Sequence, residues 1–201
     1  MVERVLGAQP LSAPEKLGDR SLLLPEGKSV RPCLVSLSYV DPFVASEHVW
    51  KMSVPNASNV NSSCEYYCQI GDVTDDHLRP RLSLLAQLAH EPVFNVLRTQ
   101  EQLGYLVFSG ARAATGVMGL RILLQSERPS AYLETRVEAF LDYFKKFLED
   151  MSEEDFVVAR QGLISKKTEK PKNLHGESSR FWTAIGDGYY DFDRREWSIP
   201  A

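Results

Sequence analysis

The chain has 201 residues, 43% hydrophobic and 25% charged, which suits one domain with its own core. Its net charge of −4 offers no basic field for nucleic acid or an anionic membrane surface, so neither is expected as a partner. No run of 18 apolar residues exists, the N-terminus lacks the apolar stretch of a signal peptide, and Cys33, Cys64 and Cys68 match no CxxC spacing; the expectation is a cytoplasmic protein with reduced thiols.

Residues 1–47 are broken by Pro and Gly and read as an irregular linker, with a weak alternation at "LVSLSYV" (34–40). "HVWKMSV" (48–54) puts Trp50, Met52 and Val54 on one face and predicts a strand. After the turn residues "PNASNVNSS", a second strand is predicted at "CEYYCQIGDV", with Cys64, Tyr66, Cys68 and Ile70 sharing a face as core residues. "TDDHLRPRLSLLAQLAH" begins with the cap-type residues Thr74, Asp75 and Asp76, tolerates Pro80 in its first turn and repeats Leu78, Leu82, Leu85 and Leu88/Ala89 at helical spacing. Pro92 is expected to kink this helix or to start another at "EPVFNVLRTQEQ", with Gly104 as the stop. "YLVFSGARA" and "VMGLRILLQ" predict a hairpin closed across Thr115-Gly116.

Three helices follow. The first starts at Pro129 and carries Leu133, Val137, Phe140, Leu141, Phe144 and Phe147/Leu148 as one stripe. The second is opened by a Ser152/Asp155 capping box and carries Phe156, Ala159, Leu163 and Ile164; Pro171 closes it. The third presents Ser178, Phe181, Trp182, Ile185 and Tyr189. The predicted fold class is therefore α+β, an antiparallel sheet packed against helices.

The usual chemical motifs fail. His90-Glu91 opens like a zinc-protease helix, but Phe94 occupies the position of the second histidine of HExxH. Glu47-His48 would need a histidine at Val44 to complete HxxEH, and His77 and His175 stand alone. The expectation is no metal site in this chain. GxSxG, Walker and GxGxxG patterns are absent. Glu153, Glu154 and Asp155 suit a helix N-terminus, and the basic run at 166–173 suits a solvated helix end.

Arg98 and Tyr105 remain, one on the helix after Pro92 and the other just past Gly104. Two arrangements are open. In the commoner, Arg98 pairs with a carboxylate such as Glu101 while Tyr105 packs. In the other, the helix end brings guanidinium and phenol together as two donors for a peptide carbonyl or an oxyanion.

"EPVFNVLRTQEQLGYLVFSG" and "GLRILLQSERPSAYLETRVEAFL", followed in order by "DMSEE", "KPKNL" and "YYDFDR", closely resemble the C-terminal domain of the insulinase (pitrilysin-type) zinc metallopeptidases. This is the family of insulin-degrading enzyme and the fungal a-pheromone-processing proteases. The resemblance covers residues 48–194 and implies one of four related α+β domains enclosing a chamber. It implies that zinc and its HxxEH ligands lie in the first domain, so the cofactor of the intact enzyme is not carried here. It also implies that Arg98 and Tyr105 bind the substrate backbone near the scissile bond, Tyr105 as a transition-state stabiliser. On this reading the chain is a non-catalytic, substrate-binding part of a peptidase, its partners being a peptide substrate and a zinc-bearing N-terminal half in cis or trans. The alternative is an inert peptide- or protein-binding fragment.

Two departures from the family pattern shape the expected domain layout. "SVRPCLVSLSYVDPFVASE" (29–47) separates "RSLLLPEGK" from "VWKMSVPN", which the family joins almost directly, and "YYDFDRREWSIPA" stops where the family continues into a helix and a strand. The expectation is an aberrant insert within 1–47, and an incomplete insulinase-type domain over 48–201.

Overall fold

Alternation in "SSCEYYCQIGD" produces the first strand, β1 (Ser62–Asp72). The computed structural model describes residues 49–192 apart from 50, 54, 57, 115, 187–189 and 191. The linker or insert expected at 1–47, the alternation at 34–40 and the chain beyond 192 lie outside the described residues. After β1 come helix α1 (Leu78–Val93) with a π-helical continuation over Phe94–Gln100, strands β2 (Leu106–Ala114) and β3 (Val117–Ser126), and helices α2 (Ser130–Glu149), α3 (Glu153–Thr168) and α4 (Leu174–Gly186). The sheet order is β1-β3-β2, with both pairings antiparallel. The α+β architecture is as the residue pattern predicts.

Over its described residues, 49 and 51–53, the strand predicted at 48–54 is not formed. Residues 51–53 are irregular and Met52 is 82% exposed, while Trp50 and Val54 lie outside the described residues. An alternating stretch needs a ladder partner. Here the next residues fold on themselves, Asn56 Oδ1 accepting from the Ser58 N–H at 3.0 Å and Asn59 Oδ1 from the Asn61 N–H at 3.0 Å.

One face of the sheet carries the core. Cys64 and Tyr66 lie opposite Leu124 and Ile122, Val107 lies opposite Leu124 from the other side, and these rows pack with Ala89, Val93, Leu97, Leu133, Val137, Phe140 and Phe144 from the helices. A smaller cluster joins Leu82 and Ala86 of α1 to Met118 and Leu120, with Cys68 against it. Ile70, expected in the core, is 38% exposed; the register shifts between Gln69 and Gly71, and Ile70 lies at the mouth of an apolar pocket rather than in the closed core. Burial pushes the Cys64 and Cys68 thiols above their ordinary range, with the Glu134 carboxylate adding to the effect at Cys64. An apolar pocket of about 500 Å³ opens beside β1, lined by Cys68, Leu85, Leu141, Phe144 and Leu148, and includes neither Arg98 nor Tyr105.

Local signals explain the boundaries. Asp75 rather than Thr74 caps α1, its Oδ1 accepting from the His77 and Leu78 N–H groups at 2.8 and 2.9 Å. Ser152 caps α3 as expected, its Oγ accepting from the Asp155 N–H at 3.1 Å, and its hydroxyl, rather than the backbone N–H of a full capping box, donates to the Asp155 carboxylate at 2.7 Å. Gly116 sits at φ 95° in the hairpin, the left-handed conformation that a glycine adopts freely.

Candidate functional site

The site begins with a change of helical winding. α1 runs through Pro92 to Val93 and passes directly into a second helical element, the π-helical segment Phe94–Gln100. Proline has no N–H for the carbonyl of the fourth residue back, and the wider winding that follows shows in the Glu101 N–H bond to the Val96 carbonyl, five residues back, at 2.9 Å. The segment is anchored by Leu97, which is fully buried, while Phe94 stands 40% exposed.

Gln102, not Gly104, turns the chain. Gln102 adopts φ 50°, and the Leu103 N–H reaches back to the Leu97 carbonyl at 3.0 Å. A left-handed residue that is not glycine costs about 1–2 kcal/mol, and here buried Leu103 and the surrounding hydrogen bonds hold it. Gly104 serves a different purpose, since a Cβ there would lie 1.9 Å from the Gln125 carbonyl oxygen of β3. Only glycine lets the turn press so closely on the sheet.

This geometry brings Arg98 and Tyr105 together. The Arg98 guanidinium lies 5.2 Å from the Tyr105 ring centroid and 4.8 Å from that of Phe94, between two aromatic rings. Tyr105 is 88% exposed. The Arg98–Glu101 pairing does not form: the Glu101 carboxylate is taken by Arg136 of α2, whose Nε and terminal nitrogen donate to its two oxygens at 2.7 and 2.5 Å. That hydrogen bond pushes the Arg136 pKa up. No ion pair or hydrogen bond to Arg98 occurs among the described residues.

His90 and Glu91 are both exposed on the last turn of α1. A zinc ion does not fit the donors present. Among the described residues no three His, Cys, Asp or Glu side chains gather closely enough to hold a metal, and the raised thiol pKa values oppose a thiolate ligand. Phe94 and Arg136 escape a reading of the residues alone. Phe94 has a local signal, lying four residues before Arg98 on the same helical stretch; Arg136, 38 positions further on from Arg98, has none.

Comparison with known proteins gives this geometry its context. Residues 84–182 match a family model described as PQQ synthase PqqF-like, C-terminal lobe domain 4. Human insulin-degrading enzyme is 46% identical over 139 residues, which cover 69% of this chain and 14% of that protein. The A-factor-processing enzyme of Saccharomyces cerevisiae is 38% identical over 177 residues, covering 88% of this chain and 15% of that protein. The chain belongs to the insulinase/pitrilysin-type protease family. A crystal structure of pitrilysin superposes with a TM-score of 0.61 at 27% identity, over 71% of this chain and 15% of that chain. The chain thus spans about a seventh of its insulinase-type relatives and matches their C-terminal lobe. No helix among the described residues is long and apolar enough to cross a membrane.

Proposed function

We propose that this chain is the non-catalytic, substrate-binding C-terminal part of a zinc metalloendopeptidase that processes or degrades peptides. The carrying observation is the arrangement of Arg98: a guanidinium without an anionic partner among the described residues, held between Phe94 and an 88% exposed Tyr105. Both side chains donate hydrogen bonds and neither accepts one as a charged base, so together they suit the carbonyl oxygens of an extended peptide. Arg98 holds the peptide backbone. The Tyr105 hydroxyl donates to the carbonyl oxygen as negative charge grows on it during cleavage.

In this reading residues 48–201 form the binding domain, and zinc is supplied by an N-terminal half in cis or trans. The working compartment is the cytoplasm, where Cys64 and Cys68 remain free thiols.

Tyr105→Phe tests the role. Combined with a zinc-bearing N-terminal half from a family relative, the variant is expected to lower kcat by about 10²-fold with little change in KM, the size typical of one lost oxyanion donor. Unchanged turnover would remove Tyr105 from the chemistry. A second reading, peptide binding without cleavage, draws on the lack of a metal-ligand group among the described residues. It predicts that peptide binds the chain but stays intact even when the zinc-bearing half is added.

A further inference from the structure

We propose that Arg136 is a positioning residue that keeps Arg98 available to substrate by withholding Glu101 from it. Three positions separate Arg98 from Glu101, close enough on a helical stretch for an ion pair to form. The pair does not form because Arg136, from the second turn of α2, engages both Glu101 oxygens. Two parallel N–H···O bonds make this bidentate grip stronger and more directional than a single contact. The Glu101 and Arg136 side chains are 20% and 35% exposed, so the pair is partly sheltered from solvent.

The pair is also well placed to act on the site. Glu101 ends the π-helical segment carrying Arg98, and it immediately precedes Gln102, whose left-handed turn leads to Tyr105. Arg136 lies next to buried Val137, which seats α2 on the core. Arg136 therefore links the segment carrying Arg98 to the helical layer and occupies the carboxylate three positions after Arg98, one that could otherwise neutralise it. The inference rests on the proposed peptide-binding role of Arg98, but its structural half is measurable without any peptide.

The test uses the full chain and two readouts. The first is the ¹⁵N–¹H resonance of the Arg98 side-chain Nε group. In Arg136→Ala, Glu101 is released to Arg98, and this resonance should shift in the direction typical of a carboxylate hydrogen bond. Adding Glu101→Gln should return it to the wild-type position. The second readout is the affinity for fluorescein-labelled insulin B chain. Arg136→Ala is expected to weaken binding two- to fivefold, the scale of a partly exposed ion pair competing for Arg98, and Arg136→Ala/Glu101→Gln is expected to restore it. A merely structural tie would change stability without giving the Arg98 resonance the signature of a carboxylate hydrogen bond, because Glu101→Gln relieves an orphaned charge in either case.

Arg136→Lys covers the case in which the alanine variant misfolds, since lysine keeps the charge near Glu101 and should hold the Arg98 resonance near its wild-type position. An unmoved Arg98 resonance in Arg136→Ala overturns the proposal. Weakened binding that Glu101→Gln fails to rescue overturns it as well. If Arg98→Ala leaves peptide affinity unchanged, the substrate-binding reading fails instead, and the resonance still decides what Arg136 does.

Discussion

The stripes of α2 and α4 begin from similar apolar periodicity, which α3 lacks, and the helices end in different environments. On α2, Leu133, Val137, Phe140 and Phe144 are all at most 4% exposed, closed against the sheet. On α3 only Leu163 is buried, and on α4 only Ala184, while Val158, Leu174 and Trp182 are 71%, 80% and 68% exposed. Apolar spacing shows that a helix has a face suited to burial. It does not show that a surface within the same chain covers that face. Among the described residues the sheet covers α2, and α3 is held chiefly through α1, where Gln87 Nε2 donates to the Ala159 carbonyl at 2.8 Å.

Paired truncations would break this contrast if it were wrong. Phe140→Ala removes a ring that is 1% exposed and stacked 5.7 Å from Phe144, and should cost about 3–5 kcal/mol in chemical denaturation. Trp182→Ala removes a larger side chain from α4 and should change stability by no more than about 0.5 kcal/mol. Comparable losses in the two variants would mean that α4 is covered in solution.

A second pair sharpens the contrast with the smallest possible change, one methyl group. At Gly104 an added Cβ meets backbone, the Gln125 carbonyl oxygen at 1.9 Å, and neither side can rotate away. Gly104→Ala should therefore cost about 2–3 kcal/mol and separate Tyr105 from Arg98. At Gly186, at the end of α4, an added Cβ meets nothing within 4 Å. Gly186→Ala should stay within about 0.5 kcal/mol of wild type in the same denaturation series.

The body of the fold was largely legible because its signals are local. β1, the hairpin, the α2 stripe and the Ser152 cap each follow from periodicity or capping within a few residues. What escaped depends on distant partners or on backbone geometry. Residues 51–53 of the strand expected at 48–54 have no ladder partner, Ile70 falls at a register shift, and the helical segment after Pro92 is wound as a π-helix. At the site, local sequence singled out Arg98 and Tyr105 but left two arrangements open. The Glu101 carboxylate is held instead by Arg136, 35 residues away, and no local pattern announces a contact of that range.

The smallest expected effect separates the same two regions by pH. Cys64 packs against the main core and Cys68 against the smaller cluster, and burial raises both thiol pKa values above the unfolded 9.0. Above pH 9 the unfolded chain therefore releases thiol protons that the folded chain retains. The unfolded state binds fewer protons there, so stability falls as pH rises through the folded pKa values. Thermal melts between pH 8 and 10.5 should show Tm declining, with a shallower decline in Cys64→Ala/Cys68→Ala; that slope difference isolates the thiols from other alkaline titrations. At the acid end the sign reverses. Hydrogen bonds from Thr74 hold the Asp72 carboxyl below its ordinary 3.8, and those from the Leu78 and His77 N–H groups do the same for Asp75, so their contribution is lost as pH falls below that value. Both limbs report on β1 and the start of α1. Neither α3 nor α4 contains a cysteine, so local order at Trp182, followed by its fluorescence, should not track the thiol-dependent part of the alkaline decline.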